Sequence, residues 1–179
     1  MVSAVPAGAQ FIINHHWINV GDTEIEAQAE MVTVPSHADP SELKIARALS
    51  VIVPDFRIMP NEQGDHSGEC TFGEDMEMLS MIGHQHQWGK HVKAEHLVGE
   101  DSAVIFDHDY TPDMISHPLQ TSYPVDALFR FNKGDRVRMT CSWMNDSNMP
   151  LTWPREMCVL FGWRLGGDRD MTCVAGQWR

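Results

Sequence analysis

Turn-forming pairs recur along this chain at intervals too short for helices and suited to strands, and that punctuation restricts the fold more than any other feature. Gly21-Asp22, Pro35-Ser36, Pro60-Asn61, Gly64-Asp65, Gly99-Glu100-Asp101, Thr111-Pro112-Asp113, Lys133-Gly134-Asp135, Asn145-Asp146-Ser147-Asn148 and Gly166-Gly167-Asp168 supply the residues that tight turns need. Between them lie runs rich in Val, Ile, Met and aromatics: 10–20, 27–34, 46–54, 76–86, 103–108, 127–131, 136–144 and 156–165. Strand-length apolar runs separated by turns predict an all-β chain, an antiparallel β-sandwich of the jelly-roll-like kind. A helical turn is expected only within 40–48. The polar, proline-containing stretch SHADPSELK at 36–44 is the best internal boundary.

The chain has 179 residues, enough for one domain with a real core. Its formal net charge of -12 argues against nucleic acid and anionic lipid surfaces, which would repel it. No apolar run reaches the roughly 18 residues of a membrane span, so no membrane insertion is expected. The opening MVSAVPAGAQ lacks the basic and apolar regions of a secretory signal. Cys70, Cys141, Cys158 and Cys173 contain no CxxC pair, and an even, scattered set favours two disulfides over four core thiols in a reducing compartment. Bridges would place the protein outside the cell or in the periplasm. These residues would then be a processed form or a piece of a longer precursor.

In GHQHQWGKH, His84 and His86 are two apart in a run read as a strand, so both imidazoles project from one face. That is a metal-ligand spacing, and imidazoles serve zinc, copper, nickel or iron alike. Two surface histidines at a strand end is the plainer reading of the same residues. Met157, in PREMCVLFGW, is one of 12 methionines, and taken alone it reads as core packing. His91 reads as a surface or supporting group, His108 and His117 as loop residues, and His96 as solvated. A cupin-like iron site built on His84 and His86 is a rival, but the flanking glycines and prolines do not support it.

HQHQWGK, then FDHDYTPD, then the Gly-Asp turn before RVRMTC, then EMC in an apolar run resemble the C-terminal domain of the copper type II, ascorbate-dependent monooxygenases, from about residue 6 to residue 173. That family includes peptidylglycine alpha-hydroxylating monooxygenase and dopamine beta-monooxygenase. The resemblance implies that His84, His86 and Met157 hold one copper ion, at which dioxygen is activated for insertion of an oxygen atom into a C–H bond, with ascorbate or another donor supplying electrons. It also implies the bridges Cys70–Cys173 and Cys141–Cys158. The ligand chemistry agrees, since imidazole serves both copper states and a thioether favours Cu(I).

Two departures from the family carry further expectations. The family's second copper is held by three histidines of a preceding domain, and only His16, followed by Trp17, matches one of them here. His15-His16 does not match the expected adjacent pair by context. Residues 1–35 therefore resemble the closing strands of a missing N-terminal copper domain, with 36–179 as the C-terminal copper-binding sandwich and a second copper domain as the expected partner. In the peptide-amidating branch an arginine, an asparagine and a tyrosine engage the substrate carboxylate. Ile82, Val159 and Phe161 stand at those positions, so a small, non-carboxylate substrate is expected. The alternatives are a stand-alone copper module for storage or transfer without turnover, and a cell-surface interaction domain with a vestigial site.

Overall fold

The computed structural model describes residues 2–5, 7–13 and 22–179. Eleven strands form two sheets: β1 Ala46–Ile52, β2 Gln63–Thr71, β3 Met76–His84, β4 Gly89–Val98, β5 Asp101–Asp109, β6 Gln120–Ser122, β7 Phe129–Phe131, β8 Arg136–Met144, β9 Val159–Leu165, β10 Met171–Val174 and β11 Gln177–Trp178. One sheet runs β11-β10-β1-β9-β3-β6, with β7 also on β3, and the other runs β2-β8-β4-β5. The all-β sandwich expected from the turn spacing is the observed architecture. The pairings between these strands are antiparallel except β1 with β10, which is parallel. The helical turn expected in 40–48 is a 3-10 turn, Pro40–Glu42, with the Asp39 side chain accepting from Ser41 N–H.

The two sheets close on alternate side chains from each strand. Leu49 and Val51 of β1, Met78 and Met81 of β3 and Leu160 of β9 meet Val92 and Ala94 of β4, Phe106 of β5 and Val137, Met139, Cys141 and Trp143 of β8. Both disulfides cross this core. Cys70 of β2 joins Cys173 of β10, and Cys141 of β8 joins Cys158 just before β9, so each staples one sheet to the other. These are the pairings that the family resemblance implied.

Residues 27–34 form no strand, against expectation, and Met31, Val32 and Val34 are exposed. A strand needs a neighbour for its N–H and C=O groups, and among the described residues this ribbon has none. The expected run at 10–20 lies largely outside the described residues, as do His15, His16 and Trp17; its described part, 10–13, is likewise not a strand. Val2 ties the N-terminal segment to the sandwich through a parallel bridge to Ile45.

Candidate metal centre

The site is built where β3 and β9 run out. Their antiparallel ladder pairs Ile82 with Phe161, Gly83 with Leu160 and His84 with Val159. Directly opposed residues share a face, so Ile82, His84, Val159 and Phe161 project to the outer side of the sheet while Gly83 and Leu160 point into the core. His86 and Met157 lie two residues beyond the last pair, outside the ladder, and their main-chain N–H groups both donate to the same oxygen of Glu156. The rings of His84 and His86 lie 5.2 Å apart, nearly perpendicular, and Phe161 approaches His84 at 5.9 Å between centroids.

Each donor is held from beneath. Gly83 admits no side chain, since a Cβ there would come within 2.6 Å of Phe106 Cε1 and 2.8 Å of Val92 Cγ2. Gln85, between the two histidines, points inward and is fully buried; its Nε2 donates to the Ser142 carbonyl of β8 at 3.1 Å, and its own carbonyl accepts from the Tyr110 hydroxyl. His86 Nδ1 lies 3.0 Å from the Arg155 carbonyl. A carbonyl can only accept, so Nδ1 carries a proton, and in the neutral ring the lone pair would then sit on Nε2, the arrangement metal-ligating histidines show. Met157 follows the segment Arg155-Glu156, and the next residue, Cys158, is anchored to β8 by its disulfide.

The electrostatics favour a neutral His84. Burial, and next the neighbouring His86, push His84 down to about 4, so it is a neutral imidazole at pH 7. Glu156 is fully buried beside the donors. Burial pushes its carboxyl up from the usual range, against hydrogen bonds from the Met157, His86 and Trp88 N–H groups that favour the ionised form.

No group of three or more His, Cys, Asp or Glu side chains that could hold a metal occurs among the described residues. The His84 and His86 imidazoles are brought side by side, and the Met157 main chain reaches the same carboxylate as that of His86; two imidazoles with a thioether would suit copper better than zinc, since a thioether is soft. They sit on an open rim. A cavity of about 830 Å³ lies elsewhere, between the N-terminal segment and the start of β1, lined among others by Val5, Phe11, Val34 and Ile45.

The other histidines stand apart from this rim. His91 is gripped at the surface by Asp107 at 2.7 Å and Asp109 at 3.0 Å. His108 belongs to β5 rather than a loop, edge-on to Phe106 at 4.5 Å between centroids. His96, expected to be solvated, is largely buried and pairs with Asp135 at 2.7 Å, because β4 turns it toward Phe129 and Phe131. His117 follows the short 3-10 turn Pro112–Ile115 and is exposed. Sequence reasoning passed over Gln85, Tyr110 and Glu156; the available signal for the last was a lone acid inside an otherwise apolar run.

A two-sheet β-domain, doubly cross-linked through its core, with two imidazoles side by side at one rim, is the class of protein defined by these observations. The chain belongs to the copper type II ascorbate-dependent monooxygenase C-terminal domain family, whose sequence profile matches residues 44–163. Copper, ascorbate dependence and monooxygenase chemistry are attributes of that family. Family membership and the two disulfides are consistent with an oxidising compartment. No curated protein matches the chain in sequence. Similar solved structures include the nucleoplasmin-like N-terminal domain of Drosophila FKBP39, at 11% identity and a TM-score of 0.33, covering 70% of this chain and 92% of that one. Dimeric latent PorU from Porphyromonas gingivalis is similar at 7% identity and a TM-score of 0.27, covering 69% of this chain and 13% of that one.

Proposed function

We propose that residues 36–179 are the oxygen-activating copper domain of a monooxygenase, with His84, His86 and Met157 holding one copper ion. The observation that supports this reading is the side-by-side placement of His84 and His86, their rings 5.2 Å apart, where β3 ends within the family-matched span. A copper ion bound there supplies activation of dioxygen. The protein's own part is to present His86 through Nε2, keep His84 unprotonated, and hold the thioether on the segment before β9, fixed by the Cys141–Cys158 bridge. Residues 1–35 are read as the closing strands of a preceding copper domain, of whose ligands His16 is the one present here. The compartment is extracellular or periplasmic.

Beside the donors, Ile82 and Phe161 offer an apolar face, and Trp163 extends it along β9 with 44% of its surface exposed. A carboxylate would meet no cation there, so the substrate is read as small and uncharged at its bound end. Hydroxylation follows R–H + O₂ + 2e⁻ + 2H⁺ → R–OH + H₂O, the electrons coming from ascorbate or a comparable donor. A single copper site exchanges one electron at a time, so the isolated chain is expected to bind copper without sustained coupled turnover.

The test is metal analysis after Cu(I) loading of the wild type, His84→Ala, His86→Ala and Met157→Ala, alongside oxygen consumption with ascorbate. One copper in the wild type, its loss in both histidine variants and weakened binding in Met157→Ala are expected. Unchanged copper in the histidine variants would defeat the site, and substrate-coupled turnover by the isolated chain would defeat the need for a second copper domain.

A further inference from the structure

The last ladder pair of β3 and β9 is His84 with Val159, yet His86 and Met157 lie two residues beyond it, where no strand pairing fixes their separation. One side chain spans that gap. Glu156, fully buried, accepts from His86 N–H and from Met157 N–H, at 2.7 Å, through the same oxygen Oε1, and its Oε2 accepts from Trp88 N–H at 3.1 Å. We propose that Glu156 is a positioning residue which replaces the missing ladder and sets the distance between the His86 and Met157 donors before copper arrives. The proposal rests on the reading that His84, His86 and Met157 are the ligands, and it adds a role for a residue that touches no metal.

Three consecutive residues divide the work. Arg155 orients the His86 ring through its carbonyl, Glu156 fixes the two main chains, and Met157 supplies the sulfur. Trp88, held by the same carboxylate, closes the far side of the turn; its indole N–H donates to Asp146 at 2.8 Å and Arg155 lies over its ring at 4.9 Å. Main-chain N–H groups buried at such a turn need acceptors, and here one carboxylate serves three of them. A thioether is a weak ligand, so its contribution depends on being held in place rather than on its own affinity.

Glu156→Gln keeps one carbonyl oxygen for the Oε1 partners and loses the acceptor for Trp88, whereas Glu156→Ala loses all three. Cu(I) affinity, read by competition with a chromophoric chelator, is expected to fall roughly 10- to 100-fold in Glu156→Ala and less in Glu156→Gln. Copper K-edge absorption of the alanine variant is expected to lose its sulfur scatterer while retaining two imidazoles. Glu77→Gln, on β3 but away from the rim, is the control and should bind as wild type. A second measurement uses the wild type alone: in copper-free protein the His86, Trp88 and Met157 amides should already resist hydrogen exchange. Free exchange of those amides, with protection appearing only on copper addition, overturns the proposal whether or not the variants fold. Wild-type affinity and an intact sulfur signal in both Glu156 variants overturn it as well, provided His84→Ala and His86→Ala lose copper. Histidine variants that keep their copper would instead refute the ligand reading on which it rests.

Discussion

Removing the two disulfides one at a time should separate stability from copper binding. Cys70–Cys173 closes a loop with a sequence separation of 103 residues, and Cys141–Cys158 one of 17. In the chain-entropy treatment the unfolded state regains about 4.7 kcal/mol of closure entropy when the first is cut and about 3.1 kcal/mol when the second is cut. All four cysteines are buried, at 2% exposure or less, so the cavity left by alanine is similar in both cases and largely cancels in the comparison. The difference, about 1.6 kcal/mol, therefore reflects the ratio of loop lengths. Against a typical total of roughly 5–15 kcal/mol, either loss is large. The assay is guanidinium unfolding of Cys70→Ala/Cys173→Ala and Cys141→Ala/Cys158→Ala, with Cu(I) affinity measured on the same preparations. The long-loop variant should be the less stable but should bind copper as wild type, because Cys173 lies on β10, two strands from β9. The short-loop variant should be the more stable of the two yet bind copper more weakly, since it frees the residue next to Met157. A reversed stability order would refute the loop-entropy reasoning, and equal copper losses would refute the assignment of the second bridge to the site.

Three further outcomes are expected. Burial pushes the Asp135 carboxyl up, but the Asn132 N–H and His96 outweigh it and hold the group below its usual value. A depressed folded-state pKa contributes stability that is present above the unfolded value of about 3.9 and lost as pH falls through the folded one. Asp135→Asn should therefore cost stability at neutral pH, and the gap from wild type should narrow below about pH 4 in acid titrations followed by circular dichroism; a gap that stays constant with pH would contradict this. Gly83→Ala forces a methyl against Phe106 and Val92 and should lower stability by roughly 1–3 kcal/mol in thermal melts. Gly162→Ala should cost at least as much, because its Cβ meets the Ser80 backbone oxygen at 2.6 Å, which cannot swing aside like a side chain. With a competent second copper domain supplied, a glycine-extended peptide should not be hydroxylated, since Ile82 and Phe161 offer its carboxylate no hydrogen-bonding or cationic partner. Robust amidating turnover would show the substrate face to be elsewhere.

The strands legible in the sequence are those whose inward residues are large and apolar. The run read at 136–144 coincides with β8, where Val137, Met139, Cys141 and Trp143 alternate inward. β2 is missed for the opposite reason: its inward positions are Gly64, His66, Gly68 and Cys70, the glycines lying close beneath Ile58 and Val53, so no apolar alternation survives. β4 is hidden in part by the register shift between Gly89 and His91, which breaks the two-residue period at its start. The run read at 156–165 begins as a strand only at Val159, because Glu156 takes the main-chain donors that a ladder would have used. His84 and His86 are legible because a spacing of two survives in any strand. The anchors beneath them are not, since Gln85, Tyr110 and Glu156 meet only through contacts distant in sequence.

On the proposed reading, the pleat of β3 and β9 separates two tasks that an oxygen-activating site has to combine. Everything that fixes the donors points inward or lies in the main chain: Gly83 under Phe106, Gln85 on Ser142, Leu160 in the core, and Cys158 bridged to Cys141. Everything available to a substrate points outward: Ile82, Phe161 and Trp163, the last two 40% and 44% exposed. Outward side chains bear little of the core's packing, so exchanging them costs little stability and leaves the inward anchors undisturbed. Selectivity at this rim can therefore change without loosening the imidazoles or the thioether. A polar carboxylate clamp and the apolar face found here are, on the proposed reading, alternative coverings of one rigid donor frame.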